Sequence, residues 1–590
     1  MLKKMFYGLL FTSLLIGLST LVFNIQQIKA SGTIYIRSNG NFEGTDKINR
    51  NGSTYTFTDT IKDSIVVEKS HIVIDGAGNV LEGMANGTGI SLSKIENVTI
   101  RNMTIKTFQN GISLERCLTC NISGNNITMC FSHGIILMNS SAYNNIVGNN
   151  ISLNKYYGIY VISSPNNSIS GNTIAANSYD GIVLFSSENN SVRGNDMTAN
   201  NEYGIYLVSS SDNSVSGNNI ITNNEYGILL ASSSNNSISR NNIADNYGLG
   251  LVSSSNNNGV SGNTITDNEV GIVLYSSNNN GVSGNTITAN KYDGVFLGSS
   301  SDNTMTGNNI RANGYDGIYL DFSSNNSIDR NNVAANNEYG INLYNCSDHN
   351  NIFENNITAN NNCGIELESS SNNNSVSGNN IGINSVGIRL QESSNNTVYH
   401  NNFLNNTDQA YTENSTNFLD GDYPSGGNYW SNYEGEDRNG DGLGDAPYVI
   451  DANNIDRYPR IVPVGSIPVF WKDESYYFLI TGNMTVSRFA SDPDKTLNFK
   501  IIGHGYVNIT IPREFLDGSF RVFVNNTQTP WLSSWNKTHV SIYFEYPTSG
   551  SHIVKIEAEM KLLGDTNSDG KVDIVDIAKV AKNFGKKLIP

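Results

Sequence analysis

Charge is scarce in this chain. Asp, Glu, Lys and Arg make up 15% of its 590 residues, and the polar character comes from Asn, Ser and Thr instead. Basic charge is scarcer still: 36 Lys and Arg stand against 53 Asp and Glu, a net charge of −17. That excludes a nucleic acid or an anionic membrane as partner, because phosphate binding needs clustered Lys and Arg. Low charge combined with evenly spaced apolar residues also argues against disorder. Long apolar runs are missing after the first, which reaches from about Met5 to Phe23 behind Lys3 and Lys4. With Ile28, Lys29 and Ala30 ahead of Ser31, residues 1–30 read as a signal peptide, and no membrane span is expected after its cleavage. Cysteine is limited to Cys117, Cys120, Cys130, Cys346 and Cys363. The pair Cys117 and Cys120 lacks the second pair that a zinc site needs. Two readings stay open, a local disulfide among the first three or buried thiols filling positions in a stack. Helical periodicity is absent from residues 89–390, and Asn, Ser, Thr and Gly are poor helix formers.

What the sequence has is a repeat. Gly, then Ile or Val (once Leu), then any residue, then Leu or Val recurs from Gly89 to Gly387 at spacings of 21 to 24 residues. A second strand signal lies between the glycines, as in residues 168–174, 214–220 and 237–243. Both alternate apolar with small polar residues, the period of a half-buried strand. The Asn-rich stretches between them suit tight bends and positive φ. One coil per repeat follows, stacked by parallel main-chain hydrogen bonds into an all-β parallel β-helix. About fourteen coils at a strand spacing near 4.8 Å predict a rod of roughly 65–70 Å. Asn167, Asn213, Asn236 and Asn326 fall at equivalent turn positions and are expected to stack as side-chain ladders. A leucine-rich horseshoe has a similar period, but its Leu frame and outer helix are missing here.

Three groups of residues carry candidate chemistry. Asp565, Asn567, Asp569, Lys571 (through its carbonyl) and Asp576 have the spacing of a twelve-position calcium loop, followed by a helix with an apolar face. Asp437, Asn439, Asp441 and Asp445 alternate with glycines like a compact calcium loop at the end of the repeats. In each Gly-Ile-x-Leu strand the x side chain points outward, and mid-array it is often aromatic, as at Tyr160, Tyr206, Phe296 and Tyr319. Aromatic faces stack on sugar rings, so this stripe reads either as a polysaccharide groove or as a strip covered by a partner. Carboxylates recur just before the glycines, at Asp180, Glu202, Glu225, Asp293, Asp316 and Glu338. Adjacent coils set them about 5 Å apart, as in retaining glycosidases. Because they repeat along the rod, they read as solvated edge charges that discourage sticking.

The repeat columns resemble the right-handed β-helix repeats of the NosD-like group, related to carbohydrate-binding and sugar-hydrolase β-helices. The resemblance covers roughly residues 33–460, from opening strands at 33–37 and 63–68 and a first coil at 72–78 to a closing segment at 428–433 and 445–450. It implies a right-handed helix and, by the group's name, copper supply. Copper wants clustered Met, Cys or His, whereas the seven His residues here are scattered. The loop at 565–576 resembles one of the two repeats of a type I dockerin, which implies calcium and a cohesin-like partner.

The expected organisation is a leader at 1–30, opening strands and cap at 31–88, β-helix repeats at 89–415 and a closing segment at 416–465. A small β-sandwich at 466–560 and a dockerin-like segment at 561–590 follow. The expected function is a secreted or cell-surface protein that binds carbohydrate or a surface partner without catalysing a reaction. A polysaccharide lyase, hydrolase or epimerase comes second, and a copper-supply protein third.

Overall fold

The computed structural model describes residues 32–559 apart from 472–473, 482–483, 493–494, 517 and 536–538. The expected leader at 1–30 and the loop carrying Asp565, Asn567, Asp569, Lys571 and Asp576 lie outside the described residues. Among the described residues there is no α-helix.

Each repeat makes three short strands, so the helix has three faces. Face 1 holds the glycine strands, such as Ile159–Ile162 and Ile182–Phe185, paired in parallel with Ile159 opposite Ile182. Face 2 holds strands such as Ser168–Ser170, and face 3 strands such as Thr173–Ala175. The register is in step throughout: Ile169 sits on Val192, and Ile174 on Met197. One continuous core results, with Ile, Leu and Val of all three faces fully buried. Face 3 alone is a sheet of 16 strands, which makes the rod roughly 75 Å long, two coils more than the glycine pattern announces. The extra strands are Val80–Glu82 at the start and Tyr429–Trp430 at the end, whose sequences depart from the repeat.

The recurrent glycine is required by close approach. A Cβ at Gly158, Gly204 or Gly340 would lie 2.5–2.7 Å from the carbonyl oxygen of the next coil's glycine. Side chains cannot enter there, so the chain turns into face 1 through a position only Gly fits.

The expected Asn ladders are present, and buried. Asn167 Oδ1 accepts the backbone N–H and side-chain amide of Asn144, at 2.9 and 3.0 Å, and Asn213 does the same toward Asn190 through its backbone at 2.8 Å. Two more Asn ladders run through Asn172 and Asn177, and a Ser ladder through Ser164 and Ser187. The ladders satisfy turn N–H groups that would otherwise be buried without partners. They also settle the cysteines: Cys117, Cys120 and Cys130 are free, buried, and occupy the first position of three ladders. Their N–H groups bond Ser141 Oγ, Asn144 Oδ1 and Asn154 Oδ1. A thiol, small and weakly polar, makes the junction between the apolar rungs Ile95, Val98 and Phe108 and the polar columns that follow.

The helix ends in a stack of Phe403, Trp430 and Tyr448, with ring centroids 4.3 and 4.4 Å apart and nearly parallel planes. Trp430 Nε1 donates to buried Asp456 at 2.8 Å.

Residues 467–559 form an antiparallel sheet of eight strands. Two of its strands, Thr496–Pro512 and His539–Glu559, are long. Their pairing shifts register between Gly503, opposite Gly550, and Gly505, opposite Tyr546, and resumes beyond. Side chains from both halves, including Phe499, Ile509, Phe544 and Ile556, share one core. This sheet lies against face 3. Outward residues Asn332, Ala334, Asn356 and Thr358 are buried there, and Arg311 pairs with Glu545.

Candidate functional site

The outer surface of face 1 concentrates the aromatic and titratable side chains. Three columns build it: the residue before each glycine, the x residue, and the residue two further on. In the coils from Gly134 to Gly340 these columns contain no Lys or Arg. Tyr203 packs on Tyr206 at 4.8 Å, Tyr226 on Tyr247 at 4.7 Å, and Phe296 on Tyr319 at 5.5 Å, between ring centroids. Tyr156 and Tyr179 stack at 5.1 Å and Tyr292 meets Tyr315 at 5.5 Å along the rim, where Tyr156, Tyr179 and Tyr315 are exposed. His133 stacks on Tyr157 at 5.1 Å; burial lowers its pKa to about 4, so the ring is neutral near pH 7.

The expected stripe is therefore only partly open. Tyr160, Tyr206, Phe296 and Tyr319 are half-buried, and Val183, Leu229 and Val273 are buried. The reason is lateral packing: side chains of neighbouring columns close over the x position, as Tyr226 and Leu229 do around Gly250. The signal that sequence reading missed is the Tyr column beside the x column, which shares its period.

Asp180, Asp293 and Asp316 depart from the solvated-edge expectation, while Glu225 is exposed as expected. Asp180 is 2% exposed and Asp316 6%. Each folds back and accepts the backbone N–H of the next coil, Asp180 from Tyr203 at 2.8 Å and Asp316 from Tyr339 at 3.1 Å. Asp293 accepts the N–H of Asp316 at 3.2 Å. Burial raises Asp180 well above the carboxylate range. It pushes Asp293 up to about 6, and burial together with the neighbouring Asp293 charge pushes Asp316 up to about 8. The repeat is thus broken chemically: two stacked carboxyls have unlike proton affinities. Asn342, on the coil after Asp316, donates Nδ2 to Asp316 Oδ2 at 3.3 Å. Farther along the face, Arg389 bonds both oxygens of the buried Glu366, at 3.2 and 3.3 Å.

The acidic loop closing the helix is built from its own side chains. Asp437 Oδ1 accepts the Gly440 N–H at 2.7 Å and Oδ2 that of Gly442 at 2.8 Å. Asn439 and Asp441 make similar bonds within the loop, and Asp445 accepts the N–H of Arg438. Among the described residues no three His, Cys, Asp or Glu side chains converge as a metal site would require.

Solved structures similar to this chain include the periplasmic alginate epimerase AlgG (14% identity, 66% of this chain and 84% of that one, TM-score 0.31). They also include the Dettilon tailspike protein (12%, 84% and 88%, 0.32) and the DFA-IIIase from Arthrobacter chlorophenolicus A6 in complex with DFA-III (16%, 44% and 66%, 0.27). No curated protein matches the sequence significantly. A right-handed β-helix region is matched at residues 136–287. The family described as periplasmic copper-binding protein (NosD) is matched at 22–179, 247–374 and 312–435, more than half of the sequence. The chain belongs to the NosD family of β-helix proteins.

Proposed function

We propose that this chain is an exported protein that binds a neutral glycan along the outer surface of face 1. The observation that carries it is the aromatic surface itself: Tyr, Phe and His side chains over ten coils, with no Lys or Arg in its three columns and Lys291 at the rim beside Tyr292. Rings rimmed by hydroxyls offer apolar platforms and hydrogen-bonding edges together, the combination that pyranose rings require. Glu202, Asp293 and Asp321 leave the field negative there, which disfavours uronates and other anions. Fold alone does not decide this, since one scaffold carries many functions. The family's name brings copper, but among the described residues no three His, Cys, Asp or Glu side chains gather as a donor set for it.

Calorimetric titration of the full chain with neutral hexaoses of glucose, mannose and galactose tests the reading. Binding of at least one is expected, weakened roughly tenfold by Tyr315→Ala or Tyr319→Ala, about one aromatic contact. Heat-silent titrations throughout, or binding that ignores both substitutions, would sink it.

The same proposal gives calcium a structural part at 437–445, supported by the spacing of Asp437, Asn439, Asp441 and Asp445. A melting temperature that is raised by calcium chloride and restored by chelator would support that part; indifference to both would remove it.

A further inference from the structure

We propose that Asp293 and Asp316, assisted by Asn342, form an acid and nucleophile pair that cleaves a glycosidic bond of the neutral glycan on face 1. The inference rests on the carbohydrate reading above and goes beyond binding.

The geometry comes from the stack. Asp293 and Asp316 precede Gly294 and Gly317, glycines of consecutive coils, and Val295 pairs with Ile318. Consecutive strands lie about 4.8 Å apart, a spacing that sets equivalent residues of the two coils near the ~5–5.5 Å that accompanies retention and below the ~6.5–9.5 Å of inversion. They are held in place: the Asp316 N–H fixes Asp293 Oδ1 at 3.2 Å, and the Tyr339 N–H fixes Asp316 Oδ1 at 3.1 Å. An independent observation points to a ligand. Asn342 is 5% exposed and its amide reaches into the pair, yet its Oδ1 has no hydrogen-bond partner. A buried acceptor left open costs about 1–3 kcal/mol, and a sugar hydroxyl would satisfy it. Phe296 and Tyr319 flank the pair, and Tyr315 is exposed beside it. Asp180 has no such acceptor beside it, because the position matching Asn342 on the next coil is Tyr206.

The proton affinities agree with these roles. Near pH 7, Asp316, at about 8, holds its proton, and Asp293, at about 6, is ionised. The Asp316 O–H proton passes to the glycosidic oxygen as the bond from that oxygen to C1 breaks. A carboxylate oxygen of Asp293 bonds C1, giving a glycosyl ester. Water then attacks C1 and gives a proton to Asp316, and the ester bond breaks to free Asp293. Atoms and charge return to the starting state, with one water consumed.

The test pairs two readouts on the full chain with the same neutral hexaoses: reducing ends released and heat of binding. Release of new reducing ends with the anomeric configuration retained by NMR is expected. The rate should follow a bell with limbs near pH 6 and 8. Asp293→Asn and Asp316→Asn should each lower turnover about 10²–10⁴-fold, while affinity stays within about tenfold. Asp316→Asn should also remove the alkaline limb. Far-UV circular dichroism of these isosteric variants guards against misfolding. Heat of binding without products would overturn the catalytic pair and leave the binding reading standing. Products whose rate ignores both variants would overturn it as well. No heat and no products would overturn both.

Discussion

A methyl group added at Gly204 would lie 2.4 Å from Ile220 Cγ2 and 2.6 Å from the Gly227 carbonyl oxygen. Neither neighbour can move without shifting a coil, so Gly204→Ala is expected to cost about 1–3 kcal/mol in denaturant unfolding. Gly171 is a useful contrast. Its φ is +61° with nothing near its missing Cβ, and equivalent corners in other coils carry Arg240, Arg330 and Glu354 at similar φ. Gly171→Asn should cost clearly less than Gly204→Ala. Asp316 gives a pH-dependent expectation. Its carboxyl titrates near 4 when unfolded and at about 8 when folded, so between these values the fold holds a proton that the unfolded chain has released. Its contribution to stability is full below pH 4 and is lost as pH rises through 8. Asp316→Asn should therefore raise the melting temperature more at pH 9 than at pH 5; the opposite order would contradict its burial as a neutral acid.

At the scale of strands and ladders, each coil is held by main-chain pairing on three faces and by side-chain amides at its corners. Asn195 shows what one ladder position does. Its Oδ1 accepts from Asn172 N and Nδ2 at 3.0 and 2.9 Å, and its Nδ2 donates to Ile169 O and Asn218 Oδ1 at 3.0 Å each. Nδ2 also donates to Arg193 O at 3.2 Å, so Asn195→Ala leaves two donors and three acceptors short and should cost about 1–3 kcal/mol, with Asn195→Asp no better because a carboxylate cannot donate. Strand positions and ladders were legible in the sequence because Gly-Ile-x-Leu and the Asn columns recur with an even period. What sits over the x column was not legible: exposure of Val183 or Leu229 depends on side chains of the coils above and below, which no single repeat contains. The acidic residues misled for a related reason. One turn shows Asp316 as a polar loop residue; only stacking shows it accepting the Tyr339 N–H and shut in beside Asp293. In the long strands at 496–512 and 539–559 the glycines mark a register shift beyond which the pairing resumes.

The molecule as a whole is a three-faced rod with different duties on its faces. Face 3 carries the C-terminal sheet, fixed in part by Arg311 with Glu545. Arg311→Glu would place like charges there, and faster proteolytic release of the sheet is expected while far-UV circular dichroism stays unchanged. Face 1 keeps its aromatic surface and its carboxyl pair on the side that the sheet leaves alone. That surface is the one proposed to receive a neutral glycan. Hydrogen–deuterium exchange of the full chain, with and without saturating neutral hexaose, tests this most directly. Slowed exchange is predicted in the turns leading into face 1, around Tyr292, Tyr315 and Tyr339, with no change on faces 2 and 3. Protection centred on another face, or none at a concentration where calorimetry shows saturation, would contradict it.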